Sequence, residues 1–179
     1  MNEPLSEYAR VGLIHHMLYP AMTTDPQDHV RTLEAFLDRK DMQTFDCTLP
    51  WDPTLRQYIA PKVRVRAEQC GDVAFAIHLF PLRKISLATI DRQERDLVKL
   101  ILKDQVQAAA SIGATGFIFG SGADVAVEDR PKAREAMRDM SLWLCHQLKP
   151  LGITLLIEPF DRDFDKKFLY GPCEDCVEL

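Results

Sequence analysis

The sequence predicts an α/β protein built on a parallel sheet, and three observations carry that prediction. Ile153-Thr-Leu-Leu-Ile157 is an unbroken apolar run of the kind a strand shows when helices cover both its faces. Apolar runs of this sort alternate with segments of helical period, five strands against four helices, which is the signature of repeated βαβ units. No short internal repeat, low-complexity segment or linker divides the 179 residues, so 1–179 reads as one domain with room for a core. Right-handed crossovers leave two closures open, a (β/α) barrel or an open doubly wound sheet.

Each element has its own signal. Val11-Gly-Leu-Ile-His15 is a first strand ending in polar groups. Asp25-Pro26 starts a helix, Asp25 as cap and Pro26 at its first position, and Gln27 to Arg39 places Val30, Leu33, Phe36 and Leu37 on one face. Met42 to Leu49 is a second strand interrupted by polar residues. Thr54 to Arg66 reads as a less regular helix that Pro61 kinks or ends early. Val73 to Phe80 is a third strand with His78 near its end. Asp91 to Ile112 has the clearest helical period, through Leu97, Leu100, Ile101, Asp104, Ala108 and Ile112, and Gly113 closes it. Gly116-Phe-Ile-Phe-Gly120-Ser-Gly122 is a fourth strand entering a glycine turn. Arg130-Pro131 opens a helix carried by Ala136, Met140, Trp143, Leu144 and Leu148. After the fifth strand a long loop leads to Tyr170, and a last helix starts at about Cys173.

Composition narrows the function. A net charge of −5 excludes a broad basic face for nucleic acid. Met1 to Arg10 is too polar for a signal peptide and no apolar stretch is long enough to span a bilayer, so no membrane partner and a cytoplasmic location are expected. Cys47, Cys70, Cys145, Cys173 and Cys176 are an odd set, consistent with reduced thiols. Cys173 and Cys176 form a C-x-x-C, but no second pair completes a zinc site and no thioredoxin-like unit surrounds it. Two small residues opening a helix is the simpler account.

Glu158-Pro159-Phe160-Asp161-Arg162 follows the fifth strand, and the carboxyl ends of parallel strands are where α/β folds build active sites. Together with Val11-Gly-Leu-Ile, Ala76-Ile-His78, Gly113-Ala-Thr-Gly-Phe-Ile, Ser121-Gly122, Gly152-Ile-Thr-Leu-Leu-Ile-Glu158-Pro159 and the tail from Lys167 to Leu179, it resembles the xylose isomerase-like TIM-barrel superfamily. These are sugar (phosphate) isomerases and epimerases related to endonuclease IV. The resemblance runs from about Val11 to Leu179 and implies a partial (β/α)8 barrel of about five parallel strands with four to five helices. A whole barrel takes about 250 residues, so the chain matches roughly its first five-eighths.

The resemblance also implies roles. Glu158 stands where the family has a metal-binding glutamate that doubles as a catalytic base, and the implied cofactor is a divalent Mn, Mg, Co or Zn ion. The further ligands belong to strands six to eight, so this chain alone is expected to lack most of them and to be inactive by itself. Without the resemblance, Glu158 reads as a strand-end carboxylate bonded to loop N–H groups or paired with Arg162. His78, His15 and Asp46 end strands on what would be the same barrel face and are candidates for substrate binding, against simple hydrogen-bonding roles. Trp51 is a candidate pocket wall, or rim packing. Arg162 is a candidate contact for an anionic substrate, or a solvated charge. Gly120-Ser121-Gly122 either offers N–H groups to a phosphate or merely lets the strand turn.

The expected activity is isomerisation or epimerisation of a keto sugar, sugar phosphate or related polyol. Two alternatives stand beside it. One is an endonuclease IV-like phosphodiesterase, which the negative charge disfavours. The other is a catalytically empty half-barrel acting through another chain, since its first and fifth strands would be bare edges. A homo-oligomer is expected on that ground.

Overall fold

The computed structural model of the 179-residue chain describes residues 9–76 and 86–179. They fall into two compact units, the first running to Ala76 and including Ala108–Thr115, the second comprising the rest.

The first unit opens with β1 (Gly12–Ile14), which passes directly into the short helix α1 (His15–Leu18). A 3-10 turn at Pro20–Thr23 leads to α2 (Pro26–Leu37). The Asp25 carboxylate accepts from the Gln27 N–H at 2.8 Å, the cap expected from the sequence, and Val30, Leu33 and Phe36 are buried. Next come β2 (Thr44–Cys47), α3 (Pro53–Cys70) and β3 (Val73–Ala76). The expected third strand continues to Phe80, and that continuation lies outside the described residues.

The helix at Pro61 corrects the expectation of an early end. α3 starts behind an Asp52 cap (Oδ1 to the Leu55 N–H, 2.9 Å) and runs on to Cys70. Pro61 is exposed, so the carbonyl it leaves without a donor meets water, while Ile59, Ala60, Val63 and Ala67 hold the opposite face in the core. Gly71, at φ 86°, ends the helix.

β1, β2 and β3 pair in parallel, in chain order. Leu13, Phe45 and Val73 share one register row, and Phe45 and Val73 are buried there, with Phe36 of α2 edge-on to the Phe45 ring at 5.8 Å. Ile14, Asp46 and Ala74 form the next row, on the opposite face. That face is thinly covered: Ile14 is 37% exposed and the other two are half-buried.

α4 (Arg92–Ser111) belongs to the second unit as far as Gln107. Val98, Leu102, Gln105, Val106, Ala108 and Ala109 are buried, as is Ile112 just past the helix, whereas Leu97 and Leu100 are exposed. The expected face holds at Ala108 and Ile112, and in the first half of the helix Val98 and Leu102 take the core positions expected of Leu97 and Leu100. β4 (Gly116–Phe119) and β5 (Thr154–Ile157) pair in parallel over four residues. Between them α5 (Arg130–Leu148) buries Ala136, Met140, Leu144 and Leu148 as expected. Trp143 is only half-buried, with the Lys99 ammonium 5.8 Å over its ring. α6 (Cys173–Val177) closes the chain.

β5 is less buried than its apolar sequence predicts. Ile153 is in the core, but Leu155 and Ile157 are half-buried and Leu156 is 41% exposed. Among the described residues of this unit only β4 pairs with it, so its far edge and one face have no cover. No helix among the described residues is long and apolar enough to cross a membrane.

Candidate functional site

In the first unit, β2 sets Asp46 on the thinly covered face between Ile14 and Ala74. Trp51 follows β2 and is 41% exposed, its carbonyl accepting from Arg56 Nη2 at 3.1 Å. His15 sits on α1, not on the strand, and is fully buried. Its Nε2 lies 3.1 Å from Thr32 Oγ1, whose hydroxyl is also within reach of the backbone carbonyls of Asp28 (2.8 Å) and His29 (3.2 Å). The His15 ring lies 5.6 Å from the near-parallel ring of His29 and 5.3 Å from Phe36.

His29 itself escaped the sequence reading. Its Nε2–H donates to the Thr48 carbonyl at 3.0 Å, tying α2 to the end of β2. Burial lowers its pKa below 6.5, only partly opposed by that hydrogen bond. His16 is lowered by burial as well. A histidine on an otherwise apolar helix face is the one available signal, and it looks like any polar residue until its distant partner is known.

In the second unit, the Glu158 N–H donates to the Phe119 carbonyl at 2.9 Å, extending the ladder one step past β5. Strand alternation puts Glu158 on the face of Leu156. Its carboxylate is exposed and has no hydrogen bond or ion pair with any described residue. Partial desolvation of the carboxylate still raises its pKa above 4.5.

Arg162 turns elsewhere. Its guanidinium pairs with Asp175 of α6, donates to the Leu169 carbonyl at 2.5 Å and lies 4.0 Å from Asp124. The side chains of Arg162 and Asp175 are 15% and 13% exposed. Asp175 also takes Arg134 at 2.5 Å, and Asp124 takes Arg130 at 2.6 Å. These acidic partners came too far along the chain for a local pattern to reveal. Asp161, next to the candidate site, accepts the backbone N–H groups of Phe164, Asp165 and Lys166, which hold its pKa below the usual carboxylate value.

Gly120-Ser121-Gly122 serves packing. A Cβ at Gly120 would lie 2.7 Å from the Phe168 ring, and one at Gly122, where φ is 88°, would lie 2.9 Å from the Ser86 Cα. Buried Ser121 Oγ accepts the Tyr170 N–H at 3.1 Å, and the Leu169 N–H donates to the Gly122 carbonyl at 3.1 Å. An antiparallel bridge joins Ala123 and Phe168, and the Asp124 N–H donates to the Lys167 carbonyl at 2.7 Å. The loop after β5 thus folds back along the loop after β4.

His78 lies outside the described residues. Among those described, no three His, Cys, Asp or Glu side chains gather as a metal site would require. One exposed carboxylate does not fit a bound divalent ion, which takes several convergent ligands.

No family model matches the chain, and no curated protein matches it. Solved structures do. A D-tagatose 3-epimerase-like protein superposes with a TM-score of 0.64 at 10% identity, over 86% of this chain and 55% of that one. An L-ribulose 3-epimerase gives 0.58 at 16% identity, over 86% and 50%. The D-psicose 3-epimerase of Clostridium cellulolyticum H10, solved with D-tagatose, gives 0.56 at 11% identity, over 88% and 54%. The chain spans about half the length of these structures.

Proposed function

We propose, from a fold shared with the xylose isomerase-like TIM barrels, that this chain contributes Glu158 to a site that isomerises or epimerises a keto sugar or sugar phosphate. The observation that carries the proposal is the state of Glu158. It stands just past the carboxyl end of β5, exposed, without a counter-ion among the described residues and with a raised pKa, while Arg162 four residues on is taken up by Asp175. A carboxylate so placed is suited to take the proton from the carbon beside a substrate carbonyl. The sugar 3-epimerases among its structural neighbours support the substrate class.

Arg162 serves the same site by shaping its loop. The divalent metal that the resemblance implies does not fit the residues described, so no step is drawn through it. Return of a proton from the opposite face needs a second group that Glu158 cannot supply, so the chain alone is expected to bind a keto sugar without turning it over.

The test is amide NMR of the full chain titrated with D-tagatose and D-fructose. Saturable shifts at Glu158 and Phe160, lost in Glu158→Gln, support the proposal. Absence of shifts around β5 with either sugar would overturn it.

A second reading is a catalytically empty half-barrel that works by association with another chain, most simply a second copy. The partly bare faces of Ile14 and Leu156 favour it.

A further inference from the structure

The C-x-x-C of α6 is left unused by the reading above, and the structure gives it a setting the sequence could not. Cys173 is exposed and Cys176 is half-buried, both as free thiols one helical turn apart. The turn is real: the Cys176 N–H donates to the Pro172 carbonyl at 3.4 Å and the Glu178 N–H to the Glu174 carbonyl at 3.3 Å. Helix geometry puts Cα atoms three residues apart at about 5 Å, inside the span of roughly 4.4–6.8 Å that a disulfide bridges. Between the two cysteines lies Asp175, fixed by Arg134 and Arg162. These two ion pairs tether the short helix that carries both thiols.

We infer that Cys173 and Cys176 are a thiol–disulfide exchange site, at which a low-molecular-weight disulfide such as oxidised glutathione is reduced and an intrahelical Cys173–Cys176 disulfide forms. In the first step the Cys173 thiolate attacks one glutathione sulfur. The glutathione S–S bond breaks, and one glutathione leaves as its thiolate. In the second step the Cys176 thiolate attacks the Cys173 sulfur and expels the other glutathione. Two protein thiols are oxidised to one disulfide, one glutathione disulfide is reduced to two thiols, and the two protons lost by Cys173 and Cys176 are taken up, by way of solvent, by the two departing glutathione thiolates. Exposure selects Cys173 for first attack. Burial pushes the Cys176 thiol up, helped by Cys173 and Asp175 and opposed by Arg162, which suits it to the second, intramolecular step.

The test uses the full chain carrying Cys70→Ser and Cys145→Ser, which removes the other accessible thiols and leaves buried Cys47. After incubation with excess oxidised glutathione, intact mass and peptide mapping are read. The expected result is loss of the mass of two hydrogens without adduct, a cross-linked 173–176 peptide, and full reversal by dithiothreitol. Adding Cys176→Ser should instead trap one glutathione on Cys173. A stable glutathione adduct on the intact pair, a covalent dimer, or no reaction at all would each overturn the inference.

Discussion

His29 makes the first unit sensitive to acid. The folded chain holds its imidazole neutral, with a pKa lowered by burial, so the unfolded chain binds the proton first. Its contribution is complete above about pH 6.5 and is lost as pH falls below that value, at up to about 1.4 kcal/mol per pH unit. His29→Gln keeps a donor for the Thr48 carbonyl, and should flatten the fall in urea-unfolding free energy between about pH 7 and 5. His16, lowered by burial too, keeps part of the slope. Glu158 has the opposite sign. Its folded pKa is raised, so the ionised carboxylate costs stability once pH rises past about 4.5. Solvent screening limits that cost to about a few tenths of a kcal/mol. Glu158→Gln should therefore melt no lower than the parent at neutral pH, and a clear drop in its midpoint would show a structural role instead. Gly120→Ala should cost about 1–3 kcal/mol, since its Cβ meets the Phe168 ring. Glu158 was legible in the sequence because an apolar run marks where its strand stops. His29 was not, because its partner lies nineteen residues away and nothing local predicts a carbonyl there.

At the level of elements, caps and stops were legible where they depend on one or two residues. Asp25 before Pro26, Gly113 after α4 and Arg130-Pro131 before α5 all do what their chemistry requires. Pro61 misled because the cost of a helical proline depends on what the rest of the helix buries. Replacing it tests that account: Pro61→Ala should stabilise the chain by about 1–3 kcal/mol in chemical unfolding, and a loss would mean that the proline shapes α3. The first half of the α4 face was misjudged for a related reason, since Leu97 and Leu100 satisfy the period without reaching the core, while Ala108 and Ile112 do reach it. α6 holds its place through charge. Asp175→Ala removes the carboxylate shared by two arginines, leaving Arg162 with the Leu169 carbonyl and Asp124, and should cost about 1–3 kcal/mol.

At the largest scale, each unit leaves apolar strand residues exposed. Ile14 and Leu156 leave apolar surface on strands whose far edges have no described partner within their units. The chain should self-associate, its average mass in sedimentation equilibrium rising with concentration, and Ile14→Lys combined with Leu156→Lys should hold it monomeric. A parent chain that stays monomeric throughout would remove the case for a second copy. Parallel α/β organisation could be read from the alternation of segments, but exposure could not, because an apolar run looks the same beneath a helix and beside open water. The strap from Lys167 to Tyr170, stitched to Ser121–Asp124, has a consequence for variation in length. Extra residues inserted between Asp163 and Lys166, where Phe164 already projects into solvent, should disturb the N–H bonds to the Asp161 carboxylate but leave the strap itself in place. The same insertion two or three positions later would unpick the stitching and release both loops together.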